Sequence, residues 1–236
     1  MPIQVIAHRG ASGLEYENSR AAFRRAVELV ADAIELDIHA SRDGLFVIHH
    51  DPILSGGAAI AELRARDLTA LRLPNGEPVP LLGDVLELTE SAELWIEVKA
   101  LDERFDDALL TLLREAPRPA RCAIHSFDHR IVARIGRKDR DRRLGALLSA
   151  YLIDPVAALV AAGAGTLWQE HQLIGQELVD RVHESGRQIV AWTVNDMTEI
   201  SRLAALGVDG ICGNFPDRIR RGLVPHAQTP GMKPGA

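Results

Sequence analysis

The length and composition of the chain favour one globular domain. Its 236 residues, of which 47% are hydrophobic and 25% charged, come close to the roughly 250 of an α/β barrel and exclude extended disorder. The net charge of −6 argues against a general surface for nucleic acids or anionic membranes. No apolar run is long enough to cross a membrane, and the first residues lack the regions of a signal peptide. We therefore expect a cytoplasmic protein with no stable membrane insertion.

Short apolar runs alternate with longer amphipathic segments, which is the pattern of repeated βα units. The apolar runs predict eight strands, at residues 3–7, 33–38, 94–98, 122–125, 144–148, 165–168, 188–194 and 209–212. The amphipathic segments predict helices at 19–30, 102–115, 128–136, 175–185 and 198–206, with Gly186 and Gly207 as C-terminal caps of the last two. These units favour a closed (β/α)8 TIM barrel over an open sheet.

The run at 45–50 is strand-like but does not fit this alternation. Too few residues separate it from the second strand for a parallel crossover, which needs about a dozen or more, so we expect a short antiparallel β-hairpin. Asp43-Gly44 is a favoured two-residue turn, and pairing symmetrically about it places Asp37 opposite His50. This register predicts that the side chains of Asp37 and His50 share one face.

The chain is expected to have one domain and a tail. Residues 1–224 form the predicted domain, and residues 225–236, which lack hydrophobic periodicity, form a flexible C-terminal tail. The two cysteines, Cys122 and Cys212, lie in short apolar runs. We expect buried free thiols, although the pair could form one bridge.

Carboxylates lie near the ends of two predicted strands. In a (β/α)8 barrel the active site forms at the C-terminal strand ends, where this chain has Glu35, Asp37 and Glu97. Strand side chains alternate between faces, so Glu35 and Asp37 point the same way. Three ionised carboxylates repel one another unless a cation joins them, and oxygen ligands suit Mg²⁺ or Ca²⁺. We therefore predict a divalent metal site; in the alternative, Glu35 and Asp37 only pair with Arg9 and Lys99 inside the barrel.

Two histidines lie at the same end of the predicted barrel. Cleavage of a phosphodiester needs one group that removes a proton and one that donates a proton, and histidine titrates near neutral pH. His8 follows the first strand and His50 ends the hairpin, so we predict that they act as acid and base. His49 is expected to face the other side of the hairpin, and His125 to pack or to support the site.

Four further side chains are candidates for substrate binding. Arg9 and Lys99 have few charges nearby to neutralise them, and we expect them to hold the phosphate, since Arg binds phosphate oxygens bidentately. Glu17 and Trp192 are also predicted to bind the substrate. Glu17 could instead cap a helix together with Asn18, and Trp192 could simply pack.

An ordered set of short motifs resembles the glycerophosphodiester phosphodiesterase family. Each motif is weak alone, but their order is specific and covers about residues 3–222. The motifs are His-Arg-Gly at 8–10, Glu-Asn-Ser at 17–19, Glu-Leu-Asp at 35–37, Asp-Gly at 43–44, His-Asp at 50–51, Val-Pro-Leu-Leu at 79–82, Glu-Val-Lys at 97–99, Ser-Phe-Asp at 126–128, Trp-Thr-Val-Asn at 192–195, Gly-Val-Asp-Gly at 207–210 and Phe-Pro-Asp at 215–217.

The resemblance implies a metal-dependent hydrolase with a small-molecule substrate. It implies that a glycerophosphodiester is converted into sn-glycerol 3-phosphate and an alcohol. The metal, acid, base and phosphate contacts fall on the same residues as above. In one route that the resemblance implies, the glycerol 2-hydroxyl attacks phosphorus and water then opens the cyclic phosphate.

The chain departs from the family pattern in several loops. Tyr16 and Ser19 stand where Pro and Thr are common, and the frequent Arg-Thr-Thr is missing after His50-Asp51. Cys212-Gly213-Asn214 replaces the usual Thr-Asp pair. We expect the last two changes to affect the alcohol pocket and not the metal, acid or base. The segment between His50 and Glu97, a cap in the family, is short; its glycines and prolines predict a loop with one helix at 61–66, a reduced cap and an open site.

Two other functions stay open. A lysophospholipase D-like phosphodiesterase or lyase would use the same histidines and carboxylates on lysophospholipids. A non-catalytic barrel would bind a phosphate ester or a metal without turnover, although such proteins usually lose a catalytic group. No nucleic-acid partner is expected, and the sequence leaves open whether the chain forms a homodimer.

Overall fold

Eight parallel strands close into a barrel in the computed structural model, which describes residues 2–54 and 56–224. Each barrel strand pairs with the next one along the chain, and the last pairs with the first. The strands are β1 (Gln4–His8), β2 (Ala33–Ala40), β3 (Phe46–Ile48), β4 (Glu93–Ala100), β5 (Cys122–Ser126), β6 (Leu144–Leu148), β7 (Thr166–Glu170), β8 (Gln188–Trp192) and β9 (Gly210–Gly213), of which β3 alone is antiparallel and outside the barrel. The predicted (β/α)8 TIM barrel is confirmed; the predicted tail at 225–236 lies outside the described residues.

Helices connect the strands, and all of them except α2, which packs in the cap segment, bury one face against the barrel. They are α1 (Arg20–Glu28), α2 (Ala65–Thr69), α3 (Leu82–Leu86), α4 (Asp106–Arg114), α5 (His129–Lys138), α6 (Pro155–Ala162), α7 (Gln176–Glu184), α8 (Met197–Leu206) and α9 (Pro216–Leu223). Gly207 ends α8 with a φ of 80°, and Gly186 follows α7 with a φ of 73°, as predicted for caps. Within the described ranges, none of these helices is long and apolar enough to cross a membrane.

Alternation along the strands divides the buried residues into two layers. Along β2, Ile34 and Leu36 join the cluster between strands and helices, whereas Ala33 joins the cluster inside the barrel. Because strand side chains alternate, Glu35 and Asp37 point inward like Ala33. The same rule turns the polar residues that follow on other strands toward the barrel axis.

An apolar floor fills the interior of the barrel. It consists of Ile6, Ala33, Trp95, Ala123, Leu147, Trp168, Val190 and Cys212. His8, Glu35, Glu97 and His125 each stand two residues further along a strand that contributes to this floor. The floor therefore supports the polar residues from below and separates them from the N-terminal end of the barrel. Both cysteines are buried and free, as predicted.

The hairpin formed by β2 and β3 has a register that differs by one residue from the predicted one. Ile38 pairs with Ile48, so Asp37 lies opposite His49 and not opposite His50. The N–H of His49 donates to the carbonyl oxygen of Asp37 at 3.1 Å. The predicted register was therefore wrong.

The turn of the hairpin explains the difference. The N–H of Ser41 donates to the carbonyl oxygen of Leu45 at 2.8 Å, which leaves three residues in the loop, 42–44. Gly44 takes a φ of 82° at the end of this loop. A three-residue loop with glycine in the left-handed region is a common alternative to the two-residue turn.

The cap segment that follows the hairpin has a small core of its own. Its buried apolar side chains, Leu54, Ile60, Leu68, Leu73 and Val79, pack together with Val47 of β3. The helix predicted at 61–66 is observed as a 3-10 turn at Ile60–Glu62 followed by α2. The cap therefore packs against β3 as a separate unit beside the barrel.

Candidate active site

Three buried carboxylates meet at the C-terminal end of the barrel. Glu35 and Asp37 project from β2 and Glu97 projects from β4, where Asp37 and Glu97 are paired in register. One carboxylate oxygen of each residue lies within 4.8 Å of those of the others. The structure thus brings together the three residues that were predicted to bind a metal.

Asp37 is surrounded by donors. Its Oδ1 lies 2.9 Å from Nζ of Lys99, and its Oδ2 lies 3.0 Å from Nε of Arg9. Nδ2 of Asn18 donates to Oδ2 at 2.8 Å. Burial by itself would raise the pKa of Asp37, but Lys99 and Arg9 lower it to about 2. Asp37 is therefore ionised at neutral pH.

Glu35 and Glu97 are contacted by fewer hydrogen-bond donors and positive charges than Asp37. Oε2 of Glu35 accepts the backbone N–H of Arg9 at 3.0 Å, and Oε1 of Glu97 lies 2.7 Å from Nζ of Lys99. Burial, and then repulsion by neighbouring carboxylates, raises the pKa of Glu35 well above its usual value and that of Glu97 to about 7. A divalent cation would relieve this repulsion, and carboxylate oxygens are the donors that Mg²⁺ and Ca²⁺ prefer. The residues present fit such an ion.

His8, the last residue of β1, has one ring nitrogen held by a neighbour. Its Nδ1 lies 2.8 Å from Oδ1 of Asn214, which is an acceptor, so Nδ1 carries the proton and Nε2 keeps its lone pair. Nε2 lies 3.9 Å from Oε2 of Glu35. Burial, and then the charge of Arg9, lowers the pKa of His8 to about 4. The ring is therefore neutral at neutral pH.

His50 lines the same cavity as His8 despite the shifted register. Strand β3 ends at Ile48, so the chain no longer alternates with β2 when it reaches His50. Nδ1 of His50 lies 2.8 Å from Oδ1 of Asp51, and the side chain is 37% exposed. His49 bonds to the carbonyl oxygen of Asp51 and is not among the described residues that line the cavity.

Arg9 and Lys99 are both paired with carboxylates. A guanidinium nitrogen of Arg9 lies 2.8 Å from Oε2 of Glu17, and Lys99 contacts Asp37 and Glu97. Burial lowers the pKa values of Arg9 and Lys99, but the carboxylates outweigh it and raise both. The expectation that little neutralises these charges was wrong. Glu17 reaches the site through Arg9 and is not among the described residues that line the cavity.

Aromatic rings form part of the wall of this cavity, whose volume is about 100 Å³. Trp192 lines it and packs edge-on against the half-exposed ring of Phe127, with centroids 5.4 Å apart. His125 is fully buried against Trp95 and Trp168, at centroid distances of 5.6 and 4.2 Å. Burial lowers the pKa of His125 to about 3.

Comparison with known proteins decides the family. The model of the glycerophosphoryl diester phosphodiesterase family matches residues 8–218. The chain belongs to this family. The predicted family and enzyme class are thereby confirmed.

Individual relatives match along almost their whole length. A glycerophosphodiester phosphodiesterase from Caldanaerobacter subterraneus is 29% identical, with 93% of this chain and 97% of that protein covered. A crystal structure from Silicibacter pomeroyi has a TM-score of 0.87 at 25% identity and covers 94% of this chain and 93% of its own. A phosphodiesterase from Oleispira antarctica, solved with its product sn-glycerol-3-phosphate, has a TM-score of 0.88 at 24% identity, covering 93% and 96%.

One departure from the family pattern lies closer to the chemistry than expected. Asn214, in the segment that replaces the usual Thr-Asp pair, contacts His8 directly. The backbone N–H of Asn214 in turn donates to Oδ1 of Asn195 at 2.8 Å. The expectation that this change affects only the alcohol pocket was therefore wrong.

Asn18 was also underestimated from the sequence. Ser19, not Asn18, caps α1, because its Oγ accepts the N–H of Ala22 at 3.1 Å. Asn18 has a φ of 55° and turns its amide onto Asp37. Its place in the Glu-Asn-Ser motif at 17–19 was the signal that could have indicated this role.

Proposed function

We propose that this protein hydrolyses glycerophosphodiesters to sn-glycerol 3-phosphate and an alcohol, with a divalent cation, Mg²⁺ or Ca²⁺, held by Glu35, Asp37 and Glu97. The observation that carries the proposal is the buried carboxylate cluster, of which Glu35 and Glu97 line one cavity together with His8 and His50. The named activity of the Caldanaerobacter relative and the product bound to the Oleispira phosphodiesterase support the substrate class.

His8 is proposed as the base. Because Nδ1 donates to Asn214, Nε2 is the nitrogen that is free to accept a proton, and the low pKa keeps it unprotonated at neutral pH. Asn214 thereby fixes both the tautomer and the direction of the ring. The proton that Nε2 takes comes from the hydroxyl group that attacks phosphorus.

His50 is proposed as the acid that protonates the leaving alcohol. Its ring is more exposed than that of His8, and the carboxylate of Asp51 contacts its Nδ1 at 2.8 Å. A group at the open side of the cavity suits a leaving alcohol of variable size. The two histidines therefore have the different surroundings that an acid and a base need.

The phosphate is proposed to bind in the cavity beside the positive charges of Arg9, Lys99 and the divalent cation. Arg9 and Lys99 contribute positive charge at the cavity, and Glu17 holds the guanidinium of Arg9 in place. When bound, the divalent cation supplies charge neutralisation and polarisation of a phosphate oxygen. Trp192 and Phe127 offer an apolar surface for the carbon skeleton of the substrate.

The test is release of sn-glycerol 3-phosphate from glycerophosphocholine, glycerophosphoethanolamine and glycerophosphoglycerol with Mg²⁺, Ca²⁺ or EDTA. We expect metal-dependent turnover that His8→Ala reduces by about 10²- to 10⁴-fold, the usual contribution of a positioned acid or base. His49→Ala is the matched control, since that ring lies outside the cavity wall. Turnover in EDTA at the full rate would contradict the metal role.

Further substrates separate the alternatives. Lysophosphatidylcholine tests the lysophospholipase D-like activity, and cleavage of it alone would replace the glycerophosphodiester proposal. A 2-deoxyglycerol analogue tests attack by the 2-hydroxyl, because its efficient cleavage would rule that route out. Metal binding without turnover of any substrate would favour the non-catalytic binding barrel over an enzyme. The cytoplasmic location stays a prediction, and the formation of a homodimer stays open.

A further inference from the structure

His125 is a buried polar residue whose ring nitrogens have no hydrogen-bond partner in the described part of the chain. Its side chain is only 1% exposed. An imidazole carries at least one N–H in either protonation state, and a buried donor without an acceptor costs free energy. A leucine or phenylalanine would fill this space without that cost. The histidine therefore needs an explanation beyond packing.

A carboxylate oxygen of Glu35 faces the ring. Nε2 of His125 lies 3.8 Å from Oε1 of Glu35, which is slightly longer than a hydrogen bond. The other oxygen, Oε2, already accepts the backbone N–H of Arg9. Among the described residues no hydrogen bond reaches Oε1. A small rotation of the Glu35 side chain would close the remaining distance.

Of the three carboxylates in the cluster, Glu35 is contacted by the fewest positive charges and hydrogen-bond donors. Asp37 contacts Lys99, Arg9 and Asn18, and Glu97 contacts Lys99. Among the residues that the structure describes, Glu35 accepts only one hydrogen bond, from the backbone N–H of Arg9. Carboxylates that bind metals are usually hydrogen-bonded themselves, and these outer contacts orient them. Glu35 therefore lacks the kind of contact that His125 can supply.

The fold holds the His125 ring in place. On β5, His125 pairs with Glu97 on one side and with Gly145 on the other. A Cβ atom at position 145 would lie 3.0 Å from Cβ of His125 and 2.9 Å from the Trp168 ring, so glycine leaves the room that both rings occupy. Trp95 also contacts the imidazole. The donor is thus rigidly placed before any ligand binds.

The geometry favours a contact with Glu35 over a fourth metal ligand. In the described chain, the group of possible ligand atoms that lie within 4.8 Å of one another contains the three carboxylates and not His125. We propose that His125 is a positioning residue, whose Nε2–H donates a hydrogen bond to Oε1 of Glu35 and holds this carboxylate in its metal-binding orientation. The proposal rests on the proposed function for the metal role of Glu35.

The first experiment determines the tautomer of His125 without metal. In ¹⁵N-labelled protein, long-range ¹H–¹⁵N correlations distinguish an imidazole protonated on Nε2 from one protonated on Nδ1. We expect an Nε2–H that exchanges slowly with water and whose resonance shifts or broadens in Glu35→Ala. A His125 ring protonated only on Nδ1 would overturn the proposal, whether or not the enzyme turns over any substrate.

The second experiment measures Mn²⁺ and Mg²⁺ affinity by calorimetry. We expect His125→Leu, which keeps the bulk but has no donor, to weaken binding by about 10- to 100-fold. His125→Gln should retain most of the affinity, since its amide N–H reaches the place of Nε2. Cys122→Ala, a buried change at the far end of the same strand, is the matched control.

The outcomes separate this proposal from the proposed function. A folded His125→Leu protein with wild-type metal affinity would overturn the positioning role. Equal losses in His125→Leu and His125→Gln would also overturn it, because packing and not the donor would then matter. If wild-type protein binds no metal, the metal part of the proposed function fails, while the tautomer still decides the contact with Glu35. If His125→Leu does not fold, the tautomer and the Gln variant decide.

Discussion

Replacement of Asn214 tests whether one hydrogen bond prepares His8 as a base. Oδ1 of Asn214 lies 2.8 Å from Nδ1 of His8, and without this acceptor the ring loses both its tautomer preference and its direction. An unsatisfied buried donor costs about 1–3 kcal/mol, and each 1.4 kcal/mol of barrier is about tenfold in rate. We therefore expect Asn214→Ala to lower kcat/KM by about 5- to 150-fold with little change in fold.

The aspartate variant gives the direction of the pH effect. His8 works as a base only when it is neutral, so activity is present above its pKa of about 4 and is lost as the pH falls through that value. Asn214→Asp places a negative charge beside Nδ1, which stabilises the protonated ring and raises the pKa. The acidic limb of kcat/KM should therefore move to higher pH.

The assay is the pH dependence of kcat/KM for glycerophosphocholine at saturating metal. Asn75→Asp, an exposed amide in the cap, is the matched control for an added charge. An acidic limb at the same pH in wild type and Asn214→Asp, together with unchanged kcat/KM in Asn214→Ala, would refute the assignment of the base to Nε2 of His8.

Three further predictions concern the metal, an ion pair and a strand contact. Glu97→Gln keeps the size of the side chain but removes an oxygen ligand, so calorimetry should show clearly weaker Mg²⁺ binding; unchanged affinity would argue against the cluster as the metal site. Arg134→Ala leaves the fully buried carboxylate of Asp106 with Lys138, at 3.4 Å, as its only charged partner among the described residues. We expect the free energy of unfolding, measured in urea, to decrease by an amount near the lower end of about 3–5 kcal/mol. A decrease of less than about 1 kcal/mol would contradict this. Gly213→Ala would push a Cβ into the carbonyl oxygen of Val194, so its thermal midpoint should fall, whereas Gly165→Ala, with open space around it, should melt like wild type.

The barrel could be predicted because its strands are buried on both faces. Such strands produce continuous apolar runs, and their alternation with amphipathic segments indicates a parallel sheet. The helices α6 and α9 were not assigned. The sequence of α6 is apolar almost throughout and has no polar face to reveal a helical period. Its assignment depends on its packing in the barrel.

The candidate site could be predicted in part for a related reason. The C-terminal ends of parallel strands meet at one end of the barrel, so polar residues that end apolar runs are brought together by topology alone. This rule and the family resemblance led to the carboxylate cluster and to His8. His50 lines the cavity with His8, but the register that was used to place it there is not the one observed.

The sequence by itself determined the strand order, the inward polar positions and the family, since these depend on local periodicity and on ordered motifs. Only the tertiary structure decided which donor meets which acceptor. The contact between His8 and Asn214 joins residues 206 positions apart, and that between Asn18 and Asp37 depends on a loop backbone that folds over the barrel. Alternation states which face a side chain takes but not its partner across the barrel, because that partner depends on the register and closure of all eight strands.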